Sequence, residues 1–164
     1  MGIRIEDTAD WSTIYAVYEA AFGQVIEADL VHRMQDDGDL ILSLLAHAGR
    51  PAGHIAFSRL LLHEPPAVKG CVLAPLAVAP EFQRQGVGSA LVRHGLERLE
   101  ADGYDLVVVL GDPDYYGRFG FSPGLARRLE TPYDGPYLQA LALSERGKEA
   151  HGPVSYAQAF AELK

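Results

Sequence analysis

The chain has 164 residues, 48% hydrophobic and 22% charged, a composition that fits one folded domain over residues 1–164 and argues against disorder. Fourteen Lys and Arg against 22 Asp and Glu leave a net charge of −8, which disfavours nucleic acid and anionic membrane surfaces and suits a cationic small substrate. Cys71 is the only cysteine, so an internal disulfide and a zinc site built on several cysteines are excluded, and no metal is expected. Residues Met1 to Asp10 have no basic stretch leading into an apolar run, and Gly2 is followed by Glu6 where a myristoylation signal needs Ser or Thr. No apolar stretch approaches the ~18 residues that cross a bilayer. The expectation is a reduced, cytoplasmic protein without a signal peptide, lipid anchor or membrane association.

Ile3 and Ile5 alternate with Arg4 and Glu6, which predicts a short first strand. Asp10 is expected to cap a helix to about Phe22, with Trp11, Ile14, Tyr15, Tyr18 and Phe22 on one face. A second helix is predicted from Ile26 to Gln35, stopped by Asp36-Asp37-Gly38-Asp39. Leu40 to Ala48 and Gly53 to Leu62 read as strands of a hairpin turning at Gly49. Cys71 to Val78 and Leu106 to Leu110 are continuous apolar runs, as in strands covered on both faces. Between them, Leu91, Val92, Gly95, Leu96 and Leu99 recur at helical spacing from Gly88 to Ala101. The whole is a strand–loop–helix–strand crossover. Beyond Gly111 a short helix is predicted at Tyr115 to Phe119, a strand at Leu138 to Leu143, and a last edge strand at Val154 to Tyr156.

Chemistry concentrates at the ends of the two apolar strands. Between Pro80 and the helix lies Gln83-Arg84-Gln85-Gly86-Val87-Gly88-Ser89. A helix N-terminus presents unpaired N–H groups and the positive end of its dipole, which attracts phosphate. Gly86 and Gly88 would let an anion reach the main chain, and Arg84 adds a charge able to bind it in a bidentate way. The same two glycines also suffice for a plain strand-to-helix turn. The spacing matches neither the dinucleotide fingerprint nor the ATP phosphate loop. After the second strand comes Gly111-Asp112-Pro113-Asp114-Tyr115-Tyr116-Gly117-Arg118-Phe119-Gly120-Phe121. A tyrosine there offers a phenol able to protonate a basic leaving group.

The string Leu76-x-Val78-x-Pro80-Glu81-x-Gln83-x-x-Gly86-x-Gly88-x-x-Leu91 resembles the acyl-coenzyme A signature of the GNAT superfamily of N-acetyltransferases. Tyr116-x-x-x-Gly120-Phe121 is similar to that superfamily's second motif, and the longer string from Gly111 resembles a bacterial branch of predicted acetyltransferases. The resemblance implies a mixed α/β fold around a central, partly parallel sheet of six or seven strands, with helices on both faces. It implies acetyl-CoA as acyl donor, with Leu76, Ala77 and Val78 beside the pantetheine arm. The main-chain N–H near Val78 would stabilise the oxyanion. Gln83, Arg84, Gln85, Gly86, Val87, Gly88 and Ser89 would hold the pyrophosphate. Tyr116 would contact the cofactor and protonate the departing thiolate, with Tyr115 packed in the core.

Two departures stand out. Many members carry an Asn shortly before the tyrosine, where this chain has Gly111-Asp112-Pro113. Several carry a Glu as general base on the strand before the phosphate loop, whereas Gly70 to Val78 holds only Cys71 as an ionisable group. A route for proton loss is needed because an alkyl amine near pKa ~10.4 is mostly protonated at neutral pH. Glu27, His32, His54, His63 and Glu64 are the candidates, alongside ordered water. Cys71 in a buried strand reads as an inert hydrophobe rather than an acyl carrier. The expected activity is acetyl transfer from acetyl-CoA to a primary amine in a ternary complex. The alternative is an acyl-CoA-binding regulatory module with little transferase activity. The sequence leaves the acceptor and a homodimer open.

Overall fold

A computed structural model describes residues 1–162, Thr8 for its backbone only. The elements are β1 (Gly2–Ile5), α1 (Trp11–Phe22), α2 (Ile26–Asp36), β2 (Leu40–His47), β3 (Pro51–Glu64), β4 (Gly70–Val78), α3 (Val87–Ala101), β5 (Leu106–Leu110), α4 (Pro113–Tyr116), α5 (Pro123–Ala126), β6 (Leu129–Glu130), β7 (Leu138–Ala142) and β8 (His151–Tyr156). The strands follow the order β1-β2-β3-β4-β5-β7, with β8 pairing β3 and β6. The sheet is mixed and mostly antiparallel. It has eight strands where six or seven were expected, because β6 is a two-residue strand too short to show periodicity. No described helix is long and apolar enough to cross a membrane.

The chain groups into two compact units. The first holds residues 1–57, 75–95 and the described residues from 158. Its core contains Ile14, Val17 and Tyr18 of α1, Ala28 and Val31 of α2, and Leu45, Ala56 and Ala77 of the strands. The i, i+3, i+4 spacing of Ile14, Val17 and Tyr18 gives α1 one apolar stripe. Truncating a fully buried leucine such as Leu45 to alanine costs ~2–5 kcal/mol. Gly23, at φ 72°, ends α1 by donating its N–H to Glu19 O, a left-handed position that glycine adopts without a Cβ clash. Asp10 does not cap α1 through its side chain as expected. Its carboxylate takes both Arg4 guanidinium nitrogens, at 2.6 and 2.7 Å, and the Asp7 N–H at 2.8 Å. The Arg4 pairing, against some cost of burial, holds the Asp10 pKa down to about 2.

The second unit holds residues 58–74 and 96–157. Here β4 and β5 are parallel, from Gly70 opposite Leu106 to Leu73 opposite Val109, as the crossover reading required. β7 runs antiparallel to β5, with Gln139 opposite Val109 and Leu138 opposite Leu110. β8 is not an edge strand. It pairs antiparallel with β3 (Leu62 opposite Val154) and parallel with β6 (Leu129 opposite Gly152). Asp105, just before β5, accepts from Lys69 N at 2.8 Å and Ser144 Oγ at 2.6 Å, tying three segments together.

Candidate active site

The first candidate stretch is the C-terminal end of β4. Its register with β5 stops at Leu73, so Pro75–Val78 continue without a partner from β5. Ala79 N donates to Ala52 O at 2.8 Å, which turns its amide towards β3. Successive residues of a strand point their N–H groups to opposite edges, so the amides of Val78 and, two residues earlier, Leu76 project from the edge away from β3. Ala77 is buried, its side chain in the core of the first unit, and by the same alternation its amide faces β3. Leu76 and Val78 are half-buried.

Two side chains of the loop after β4 bond its own backbone. Gln83 Nε2 donates to Val78 O at 3.1 Å, and Gln85 Nε2 donates to Glu81 O at 2.9 Å. Both glutamines, though exposed, thereby brace the turn. Arg84, at φ 64°, and Gly86, at φ 84°, occupy the left-handed region. Such a conformation costs a residue with a Cβ ~1–2 kcal/mol and glycine almost nothing. A Cβ added at Gly86 would meet no atom within 4 Å, so backbone geometry, and not crowding, favours glycine there. α3 begins at Val87, one residue before the expected start. Ala90 N bonds Gly86 O at 3.0 Å, so the amides of Val87, Gly88 and Ser89 precede the helical ladder. Val87 itself is buried, while Arg84, Gln85 and Gly86 are exposed and Gly88 and Ser89 half-buried.

A separate candidate group lies in the second unit. Asp112 caps α4 by accepting from Asp114 N at 2.9 Å, with Pro113 in the first turn, where its missing N–H loses nothing. α4 carries Tyr116 as its last residue. The Tyr116 ring meets Tyr115 edge-on at 5.0 Å and Phe121 at 5.8 Å. Burial, with a smaller contribution from Tyr115, pushes the Tyr116 phenol up to about 12. The phenol is therefore fully protonated at neutral pH. Its hydroxyl makes no hydrogen bond to any described residue, which leaves its proton available to a ligand. Tyr115 is half-buried rather than a core residue, with the Arg118 guanidinium 4.4 Å from its ring centre.

A buried polar chain in the first unit escaped the sequence reading. His54 is 0% exposed, with Nδ1 2.7 Å from Tyr18 Oη and Nε2 2.6 Å from Ser43 Oγ, and Ser43 hydrogen-bonds the Glu6 carboxylate. One orientation links these groups in a chain, with Glu6 Oε2 left without a hydrogen-bond partner among the described residues. Tyr18 donates to Nδ1, Nε2–H donates to Ser43, and Ser43 donates to Glu6. Burial lowers the His54 pKa to about 3, so the imidazole is neutral and its 3.9 Å approach to Glu6 Oε2 is not an ion pair. Burial raises the Glu6 pKa. His54 is thus shut off from any incoming amine. Of the other candidate bases, His32 stacks on Trp11 at 4.2 Å, Glu27 accepts from Gln24 at 3.1 Å, and His63 and Glu64 are exposed at the end of β3. Burial drives the Cys71 thiol far up, which suppresses the thiolate an acyl carrier needs.

The model of the Acetyltransferase (GNAT) family matches residues 7–121. The chain belongs to this family. It is 42% identical over 138 residues to the N-acetyltransferase YjhQ of Escherichia coli, a match covering 82% of this chain and 75% of that protein. It is 41% identical over 142 residues to the E. coli N-acetyltransferase YhbS, covering 82% and 81%. The crystal structure of YhbS with CoA superposes with a TM-score of 0.90 at 33% identity, over 99% of this chain and 93% of that one. A GNAT acetyltransferase of Brucella melitensis with acetyl-CoA gives a TM-score of 0.79 at 34% identity, over 97% of both chains. This GNAT protein is an acetyl-CoA-dependent acyltransferase.

Proposed function

We propose that this acetyltransferase moves the acetyl group of acetyl-CoA onto a primary amine by direct attack in a ternary complex. The observation that carries the reading is the run from Leu76 to Ser89, where a strand edge without a β5 partner passes into a left-handed turn and a helix N-terminus. That sequence of features offers main-chain donors first to a thioester arm and then to a pyrophosphate. We assign Leu76, Ala77 and Val78 to the pantetheine arm, with the Leu76 and Val78 amides as donors and Ala77 anchoring the strand between them. The Val78 N–H serves as the oxyanion donor. Gln83, Arg84, Gln85, Gly86, Val87, Gly88 and Ser89 hold the pyrophosphate, the two glutamines by shaping the turn and the rest by main-chain amides and the Arg84 charge.

In this account the neutral amine attacks the thioester carbonyl, and negative charge gathers on its oxygen opposite the Val78 amide. Collapse breaks the C–S bond as Tyr116 gives its proton to the leaving sulfur, the amine nitrogen loses one proton to solvent, and the Tyr116 phenolate regains one from solvent. The products are an N-acetylated amine and free CoA thiol. Burial keeps the Tyr116 phenol protonated at neutral pH, the form a proton donor needs. The family match runs through residues 7–121 and thus through parts of both units, which supports one catalytic domain over residues 1–164. The net charge of −8 favours a cationic acceptor.

A panel of polyamines, aminoglycosides, amino acids and peptide N-termini tests the reading by acetyl-CoA-dependent thiol release, with mass analysis of the acetylated product. Release with at least one primary amine is expected. Tight acetyl-CoA binding with no release across the panel would instead support a binding module.

A further inference from the structure

The turn beneath Tyr116 is clamped from below by one buried side chain. Gly111 donates its N–H to Tyr137 O at 3.0 Å, and its carbonyl accepts from Gln139 Nε2 at 3.1 Å. A Cβ added to Gly111 would stand 2.5 Å from Tyr116 Cε2 and 3.1 Å from Cδ2, so the Tyr116 ring lies directly on this peptide. Gln139 is 0% exposed on β7. Its Nε2 faces two carbonyls, Gly111 at 3.1 Å and Tyr137 at 3.4 Å, which fixes the direction of the amide. Its Oε1 is buried with no hydrogen-bond partner. An unpaired buried oxygen is unfavourable, and an apolar side chain of equal size would remove that penalty. The polar end of Gln139 therefore does something that core filling does not require.

We propose that Gln139 is a positioning residue for Tyr116. By gripping the Gly111 carbonyl it sets the height of the peptide on which the ring rests, and so the place at which the phenol meets the leaving sulfur. The inference rests on the reading of Tyr116 as the proton donor. It gives the Gly111-Asp112-Pro113 departure a role, because any residue larger than glycine at 111 would push the ring away.

The test is a double-mutant cycle in kcat. Gln139→Met keeps the volume and removes both hydrogen bonds, with Gln139→Leu as a second variant should the first not fold. Gly111→Ala displaces the ring by an independent route. Each is made alone and with Tyr116→Phe, and each is assayed for kcat, acetyl-CoA KM and urea midpoint. Alone, each lowers kcat by about tenfold or more, since small misplacements of a reacting group cost about that much. Acetyl-CoA KM stays within about twofold, and the Gln139 variants keep a urea midpoint near that of the parent. In the Tyr116→Phe background the same changes alter kcat by less than about twofold, because the group they position is gone. Equal losses in both backgrounds, or a Gln139→Met enzyme with undiminished kcat, overturn the proposal while leaving Tyr116 in place. A Tyr116→Phe enzyme with full kcat removes the proton-donor reading itself, and the positioning role with it.

Discussion

Acidification should loosen the first unit through His54. The unfolded chain takes up a proton on this histidine below its ordinary pKa of 6.5, whereas burial delays uptake in the folded state to about 3. Between those values the unfolded state binds more protons, so stability falls as pH falls through 6.5. With ~1.4 kcal/mol per pH unit of differential protonation, the loss from pH 7 to pH 5 integrates to about 2 kcal/mol. That figure does not depend on the folded value as long as it lies well below 5. Asp10 adds nothing in this window, since its depressed pKa of about 2 contributes stability that is complete above the ordinary 3.8. Glu6 acts in the opposite direction. Its raised pKa lets the folded state bind a proton first, so about 2 kcal/mol is an upper figure. For a chain of 164 residues this corresponds to a drop of about 6 °C in Tm. Urea unfolding at pH 7, 6 and 5 measures it, with His54→Gln as the control that flattens the slope and Glu6→Gln as the one that steepens it. A parent protein equally stable at pH 7 and pH 5, or a His54→Gln variant with the parent's slope, would refute the buried neutral imidazole.

Two further outcomes follow from the backbone and the strands. Gly86→Ala places a Cβ at φ 84° and should cost ~1–2 kcal/mol in a urea melt while raising acetyl-CoA KM more than it lowers kcat. A variant with parental KM would detach this turn from pyrophosphate binding. Cys71→Ala should leave kcat within about twofold of the parent and lower stability by ~1 kcal/mol through the lost packing of a fully buried side chain. Loss of turnover in a folded Cys71→Ala protein would point to an acyl-enzyme route instead.

What the sequence revealed follows from how local each signal is. β4, α3 and β5 were legible because apolar runs and helical spacing lie within a few residues of one another, and their bounds shifted by a residue at most. The Leu76–Leu91 string exposed the strand end and the helix start for the same reason. The Tyr18–His54–Ser43–Glu6 chain was illegible because its members are scattered from position 6 to 54 and meet only when β1, β2, β3 and α1 assemble. Gln139 was hidden likewise, on a strand 28 positions beyond the glycine it holds. α5 did leave a signal that went unread. Ser122 caps it by accepting from Gly124 N, with Pro123 at its first position, a pair that marks a helix start even when only four residues follow.

The central claim is that Tyr116 gives the proton that releases CoA. It is tested most directly by comparing Tyr116→Phe with the parent, using a reactive amine from the panel, for both kcat and acetyl-CoA affinity by calorimetry. The account predicts a kcat reduced by about a hundredfold or more with affinity changed by less than about threefold, as for loss of a general acid. Parental turnover in the variant would contradict it.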